Sequence, residues 1–190
     1  MDFMKTPHIS HDDGNRLAML ETLPKHGVCA ELGVLKGDFS EEILKRCHPK
    51  RLYLVDLFKG NVSSGDQDGK NWVHVDMGNM RWVLETRFVN TPTTIVASDS
   101  ITWLLAQPRG SLSWVYIDTS HDFEQTAGEL IAARDAVMDG GFICGHDYDK
   151  AFPGVIKATE NFCSYYGLKL ELWEGDAITS YKIKNNLHVS

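Results

Sequence analysis

The chain has 190 residues, 43% apolar and 24% charged, with a net charge of −7 at pH 7. That length gives one domain with room for a sizeable core, and the composition excludes disordered, collagenous and coiled-coil chains. Negative charge without any basic block argues against affinity built on phosphate backbones, so a small-molecule partner is favoured over nucleic acid. No apolar run approaches the roughly 20 residues that span a bilayer. The opening MDFMKTPHISHDDG lacks the basic and apolar regions of a signal peptide, so the expected location is cytoplasm, with no membrane partner. Cys29, Cys47, Cys144 and Cys163 are widely spaced without a C-x-x-C pair and read as buried free thiols.

After a polar segment, residues 1–27, short β-branched or aromatic runs alternate with amphipathic helical patterns through 28–190, as in a parallel sheet with crossover helices. The first run is Val28 to Leu32; Phe39, Ile43, Leu44 and Cys47 then follow at helical spacing until His48-Pro49 stops them. A second strand, Arg51 to Leu57, leads into Lys59 to Asn71, rich in Gly, Ser, Asn and Asp and read as a mobile loop. Met77, Met80, Leu84 and Phe88 form a helix face, Thr93 to Ala97 the third strand, and Ser100 the N-cap of a short helix carrying Ile101, Leu104 and Leu105. Leu112 to Asp118 is the fourth strand. A helix from Phe123 to Met138, with Ala127, Leu130, Ile131 and Val137 inward, precedes a fifth strand, Gly141 to Gly145. A helix spans Pro153 to Tyr166. The last runs, Lys169 to Leu172 and Ile178 to Ile183, are too close together for a crossover and predict an antiparallel hairpin at a sheet edge. The fold class is α/β, a doubly wound and mostly parallel sheet of seven strands in a single domain.

Ligands of open α/β sheets collect at the carboxyl ends of the strands, near the point where strand order reverses. The first turn, Glu31-Leu32-Gly33-Val34-Leu35-Lys36-Gly37, has two glycines four apart behind an acid. Gly33 and Gly37 admit positive φ and close backbone approach. This is not the three-glycine fingerprint of a dinucleotide site and suits a ligand without pyrophosphate, unless it is a plain tight turn. Asp56 stands 23 residues beyond Gly33 at the end of the second strand, where a carboxylate accepts hydrogen bonds from both ribose hydroxyls. The third turn offers Ser98, Asp99 and Ser100, for which helix capping is the alternative.

These pieces, VCAELGVLKGDFS, LYLVDLF, VASDS, WVYIDTSHDFEQTAGEL and GGFICGHDY followed by PGV, resemble the class I S-adenosylmethionine-dependent methyltransferases, and within them the small sugar O-methyltransferases of the macrocin O-methyltransferase-like group. The resemblance runs from about Val28 to Phe162 and implies a Rossmann-like core ending in an antiparallel hairpin. It implies that Glu31, Gly33 and Gly37 line the methionine portion of S-adenosylmethionine, Asp56 the ribose, and Asp99 with Ser100 the adenine side.

Two further strand ends carry candidate chemistry: Asp118 with His121, and His146, Asp147 and Asp149. Neighbouring strands would bring Asp118 and Asp147 together as oxygen ligands for a hard divalent cation such as Mg²⁺; the alternative is that they cap the following helices. Metal-dependent relatives, and more distantly catechol O-methyltransferase, have an aspartate matching Asp118 and an acidic pair matching His146-Asp147. Histidine at the first of the pair shifts preference away from Mg²⁺ towards Mn²⁺, Fe²⁺ or Zn²⁺. The resemblance also implies a general base, His121, three residues after Asp118, where others use an aspartate at the place of Ser120. Most tryptophans read as core; Trp72, at the end of the loop, is the candidate to close over a ligand. The remaining histidines, His8, His11, His26, His48, His74 and His188, read as solvated.

The expected reaction is metal-assisted methylation of a hydroxyl on a small molecule, a sugar or other secondary metabolite. Its rivals are a metal-independent methyltransferase acting on nitrogen or an acidic hydroxyl, and a cofactor-binding module without catalysis. The short segment 1–27 leaves the acceptor site open unless the loop 59–71 or a second subunit of a homo-oligomer covers it.

Overall fold

The computed structural model describes residues 8–11, 15–64 and 73–187, with the backbone only for 8–11, 62–64 and 73. In chain order the elements are β1 (His8–His11), α1 (Arg16–Glu21), β2 (Val28–Leu32), α2 (Asp38–Cys47), β3 (Arg51–Asp56), β4 (Asn61–Ser64), β5 (Val73–Asp76), α3 (Met77–Arg87), β6 (Thr93–Ala97), α4 (Ser100–Leu105), β7 (Leu112–Ile117), α5 (Phe123–Ala136), β8 (Val137–Gly145), α6 (Pro153–Tyr166), β9 (Leu170–Trp173) and β10 (Ser180–Lys184). The main sheet runs β1-β9-β10-β8-β7-β2-β3-β6. The expected seven-stranded, Rossmann-like sheet is present, and β10 pairs antiparallel with both β8 and β9. One strand is added: β1, from the segment read as merely polar, lies parallel to β9 at the edge.

Side chains alternate across β2 and β7, so each strand feeds two cores. Ala30, Leu32, Val115 and Ile117 pack with α4, α5 and α6 on one face. Cys29, Trp114 and Tyr116 pack with α1, α2 and α3 on the other. A parallel strand buried on both sides reads as a continuous apolar run, which is why VCAEL and LSWVYI stood out. The four cysteines are buried and unpaired. Among the described residues no helix is long and apolar enough to cross a membrane.

Several local expectations differ. Residues 61–64, read as loop, form β4 and pair with β5 in a separate hairpin; residues 65–72, Trp72 included, lie outside the described residues. Asp99, not Ser100, is the N-cap of α4, because its carboxylate accepts from the Thr102 amide at 2.8 Å. Helix α5 ends at Ala136, and Val137 opens β8. Ile131, expected inward, is exposed, as are Leu105 and Trp82, whereas Leu130 and Val137 are buried and Ala127 packs against the core as expected.

Candidate active site

Strand order reverses between β2 and its neighbours β3 and β7, and the turn after β2 sits at that switch point. Gly33 has φ +82°, and a Cβ there would lie 1.8 Å from the Asp118 carbonyl oxygen, so the turn passes flat against the end of β7. Gly37, φ +78°, opens α2 without a side-chain cap. Its missing Cβ leaves room for Leu84 and Phe88 from α3 and its C-cap. Asp56 fastens the same turn: one carboxylate oxygen accepts from the Val34 amide at 2.9 Å and the other from the Phe58 amide at 3.0 Å. The first oxygen also accepts a longer bond from the Leu35 amide at 3.5 Å, and the second keeps acceptor capacity.

Glu31 points to the α2 face and is 2% exposed, with one oxygen accepting from the Ser40 hydroxyl at 2.5 Å. Burial pushes its carboxyl up to about 8, against the Ser40 bond, with Asp118 adding to the rise. At the next strand end, Asp99 is held below the usual carboxylate range by the Thr102 amide. Ser100 is turned inward. Its hydroxyl donates to Glu129 at 2.5 Å and accepts from Gln125, while Thr119 also donates to Glu129 at 2.9 Å. Of these two residues, only Asp99 is not buried.

The ends of β7 and β8 bring the second group together. Asp118, His121 and Asp147 each place a ligand atom within 4.8 Å of the others. His121 Nε2 lies 3.0 Å from one Asp147 oxygen and His146 Nδ1 3.3 Å from the other. The convergent triad thus contains His121 where the sequence suggested His146, which contacts Asp147 and whose charge opposes the rise of Asp118. Neither aspartate caps a helix: Asp122 caps α5, and Pro153 opens α6. Asp149 accepts from the Ala151 amide and serves a turn.

The two aspartates are driven apart electrostatically. Burial raises Asp118 above the usual carboxylate range, the Asp147 charge adding to the rise. Burial also opposes ionisation of Asp147, but hydrogen bonds from His121 and His146 outweigh it and hold that carboxyl well below the usual range. The same bond raises His121 above its ordinary value despite partial burial. Asp147 itself has φ +62°, a strained non-glycine conformation that aims its carboxylate back at both imidazoles.

Some members of this edge gave no sequence signal. The Phe152 ring packs at 4.2 Å on His121, and Gly154 lets α6 approach the His121 carbonyl. The Tyr181 hydroxyl, fully buried and without a hydrogen-bond partner among the described residues, lines a cavity of about 10 Å³ with Asp118, Thr119, His121, His146 and Asp147. That is room for about one water or ion. Glu129 read only as one more residue of an amphipathic helix.

The turn at Gly33, held against the end of β7 at the switch point, lies where open α/β sheets bind their ligands. The oxygens of Asp118 and Asp147, with a His121 nitrogen within 4.8 Å of them, fit a small divalent cation. The described fold resembles solved methyltransferases. The O-methyltransferase NovP superposes with TM-score 0.64 at 17% identity, over 90% of this chain and 79% of that one. The N-methyltransferase NodS of Bradyrhizobium japonicum WM9 gives 0.61 at 13%, over 90% and 93%. Spermidine synthase of Thermotoga maritima gives 0.60 at 15%, over 92% of this chain but only 57% of that one, so the same fold carries more than one kind of reaction. No curated protein matches the chain in sequence. The sequence model of a family described as a methyltransferase domain matches residues 30–148, from the middle of β2 to just beyond Asp147. Because that match spans every strand end described above, the chain belongs to the methyltransferase-domain family and is a class I S-adenosylmethionine-dependent methyltransferase.

Proposed function

We propose that the chain methylates a hydroxyl oxygen of a small molecule, with a divalent cation, Mg²⁺ or Mn²⁺, held between Asp118 and Asp147. The observation that carries this reading is the convergence of Asp118, His121 and Asp147 within 4.8 Å at the strand ends beside Gly33. Bound S-adenosylmethionine supplies a methyl group on a sulfonium, and a bound cation lowers the pKa of a hydroxyl that it touches. The residues of the chain do the rest. The Gly33 turn and Asp56 orient the cofactor, and Asp99 flanks the adenine. His121 accepts the hydroxyl proton, and Asp147, already bonded to its ring, stabilises the imidazolium that results. Displacement requires the oxygen in line with the S–CH₃ bond, so positioning supplies much of the rate. Within the family, the quoted motifs favour the macrocin O-methyltransferase-like group and hence a sugar or related acceptor.

The 3.0 Å contact between His121 and Asp147 supports a second reading, because this pair can take a proton without any metal. Methyl transfer to a panel of hydroxylated sugars and secondary metabolites, with and without a chelator, separates the two. Loss of activity with the chelator and recovery with Mn²⁺ supports the first; indifference supports the second. Turnover of amines and of no hydroxyl overturns oxygen as the acceptor.

A further inference from the structure

Arg16 stands at the start of α1, outside the residues that the family match covers. Its guanidinium lies over the Phe39 ring, 4.9 Å from the centroid, and Phe39 is the second residue of α2, directly behind the Gly33–Gly37 turn. Phe39 is itself backed by the Tyr116 ring at 4.4 Å. The Arg16 backbone amide donates to Asp176 at 2.9 Å, which fastens the head of α1 to the turn between β9 and β10. Among the described residues this guanidinium forms no ion pair. Its positive field nevertheless reaches Glu31, favouring the ionised form.

A cation with its donors unspent among the described residues, held over Phe39 beside the turn that follows the buried Glu31, matches a zwitterion. An α-amino acid would present its ammonium to Glu31 and its carboxylate to the guanidinium. We propose that Arg16 binds the carboxylate of the cofactor's amino-acid portion, making α1 part of the cofactor site. This assignment rests on the cofactor reading and deepens it. An acidic acceptor is the less favoured occupant, because Arg16 sits above the start of α2, on the Glu31 side of the turn, whereas His121 and Asp147 lie beyond Asp118 at the ends of β7 and β8.

The test is isothermal titration of the full chain with S-adenosylhomocysteine and with its decarboxylated analogue, S-adenosylthiopropylamine, for wild type, Arg16→Gln and Arg16→Lys. A charge-assisted contact predicts a loss of about 10- to 100-fold for S-adenosylhomocysteine in Arg16→Gln and less than about 3-fold for the analogue. Arg16→Lys, which keeps the charge without the two-pronged geometry, is expected to lose about 3- to 10-fold on the same ligand only, and it stands in if Arg16→Gln melts early. Equal losses on both ligands, or none on either, overturn the assignment while leaving the cofactor reading intact. Wild type that binds neither ligand overturns both.

Discussion

Glu31 offers the sharpest quantitative test, because its carboxyl is pushed up to about 8 by burial next to a site that must receive a cationic cofactor. At pH 7 such a group is only about one tenth ionised. A cofactor ammonium near it favours the anion, and a contact of about 2–3 kcal/mol lowers the pKa by roughly two units. Binding at pH 7 then releases close to one proton, about 0.8, and the release falls towards zero by pH 9, where the free protein is already ionised. The assay is titration calorimetry with S-adenosylhomocysteine in buffers of different ionisation enthalpy, from pH 6 to 9. Wild-type affinity is expected to strengthen as pH rises from 6 to 8, by at most about tenfold per unit. Glu31→Gln, which can still accept from Ser40, is expected to abolish both the proton release and the pH slope. Stability follows the same group with a definite sign. Its folded pKa lies above the ordinary value of 4.5, so its contribution is fully present below about pH 4.5 and is lost as pH rises towards 8. The melting temperature of unliganded wild type should therefore fall relative to Glu31→Gln across that window, with a difference of order a few kcal/mol. Binding heats independent of buffer at pH 7, or a proton release that survives in Glu31→Gln, would refute the reasoning.

Other changes address the remaining parts of the site. Gly33→Val puts a Cβ against the Asp118 carbonyl at positive φ, so it is expected to abolish the rise in melting temperature with S-adenosylmethionine and to cost about 2 kcal/mol or more of stability; a normal thermal shift in this variant contradicts the turn's role. The pair Asp118→Asn with Asp147→Asn is expected to remove an anomalous Mn²⁺ peak in crystals while S-adenosylhomocysteine affinity stays within a few fold, and a wild-type crystal with acceptor but no peak favours the metal-free reading. His121→Ala should lower the single-turnover methyl-transfer rate by roughly 10²- to 10⁴-fold with cofactor binding retained. A loss under about threefold places the base elsewhere.

The main strands and crossover helices were legible because a sheet buried on both faces imposes continuous apolar runs, and its helices impose a period of 3.6. Thr93–Ala97 and Pro153–Tyr166 have the bounds that the sequence predicted. The edge strand β1 was not legible, since its pairing with β9 leaves no apolar run in HISH. The same distinction runs through the site. The places of Gly33, Asp56 and Asp118 were readable because each occupies the end of a strong strand, where topology alone assigns a place. The surroundings of Ser100 and His146 were not, because residues adjacent in sequence diverge at a strand end. Asp99 takes the cap and leaves Ser100 to Glu129, while the left-handed turn at Asp147 lets one carboxylate serve His121 and His146 with different oxygens. Which histidine joins Asp118 then depends on how α6 seats Phe152 against one ring, a contact between segments 31 residues apart. Spacing can nominate both imidazoles, but the packing of α6 selects between them. The Phe152 ring therefore belongs to the determinants of the site as much as the polar groups that it orders.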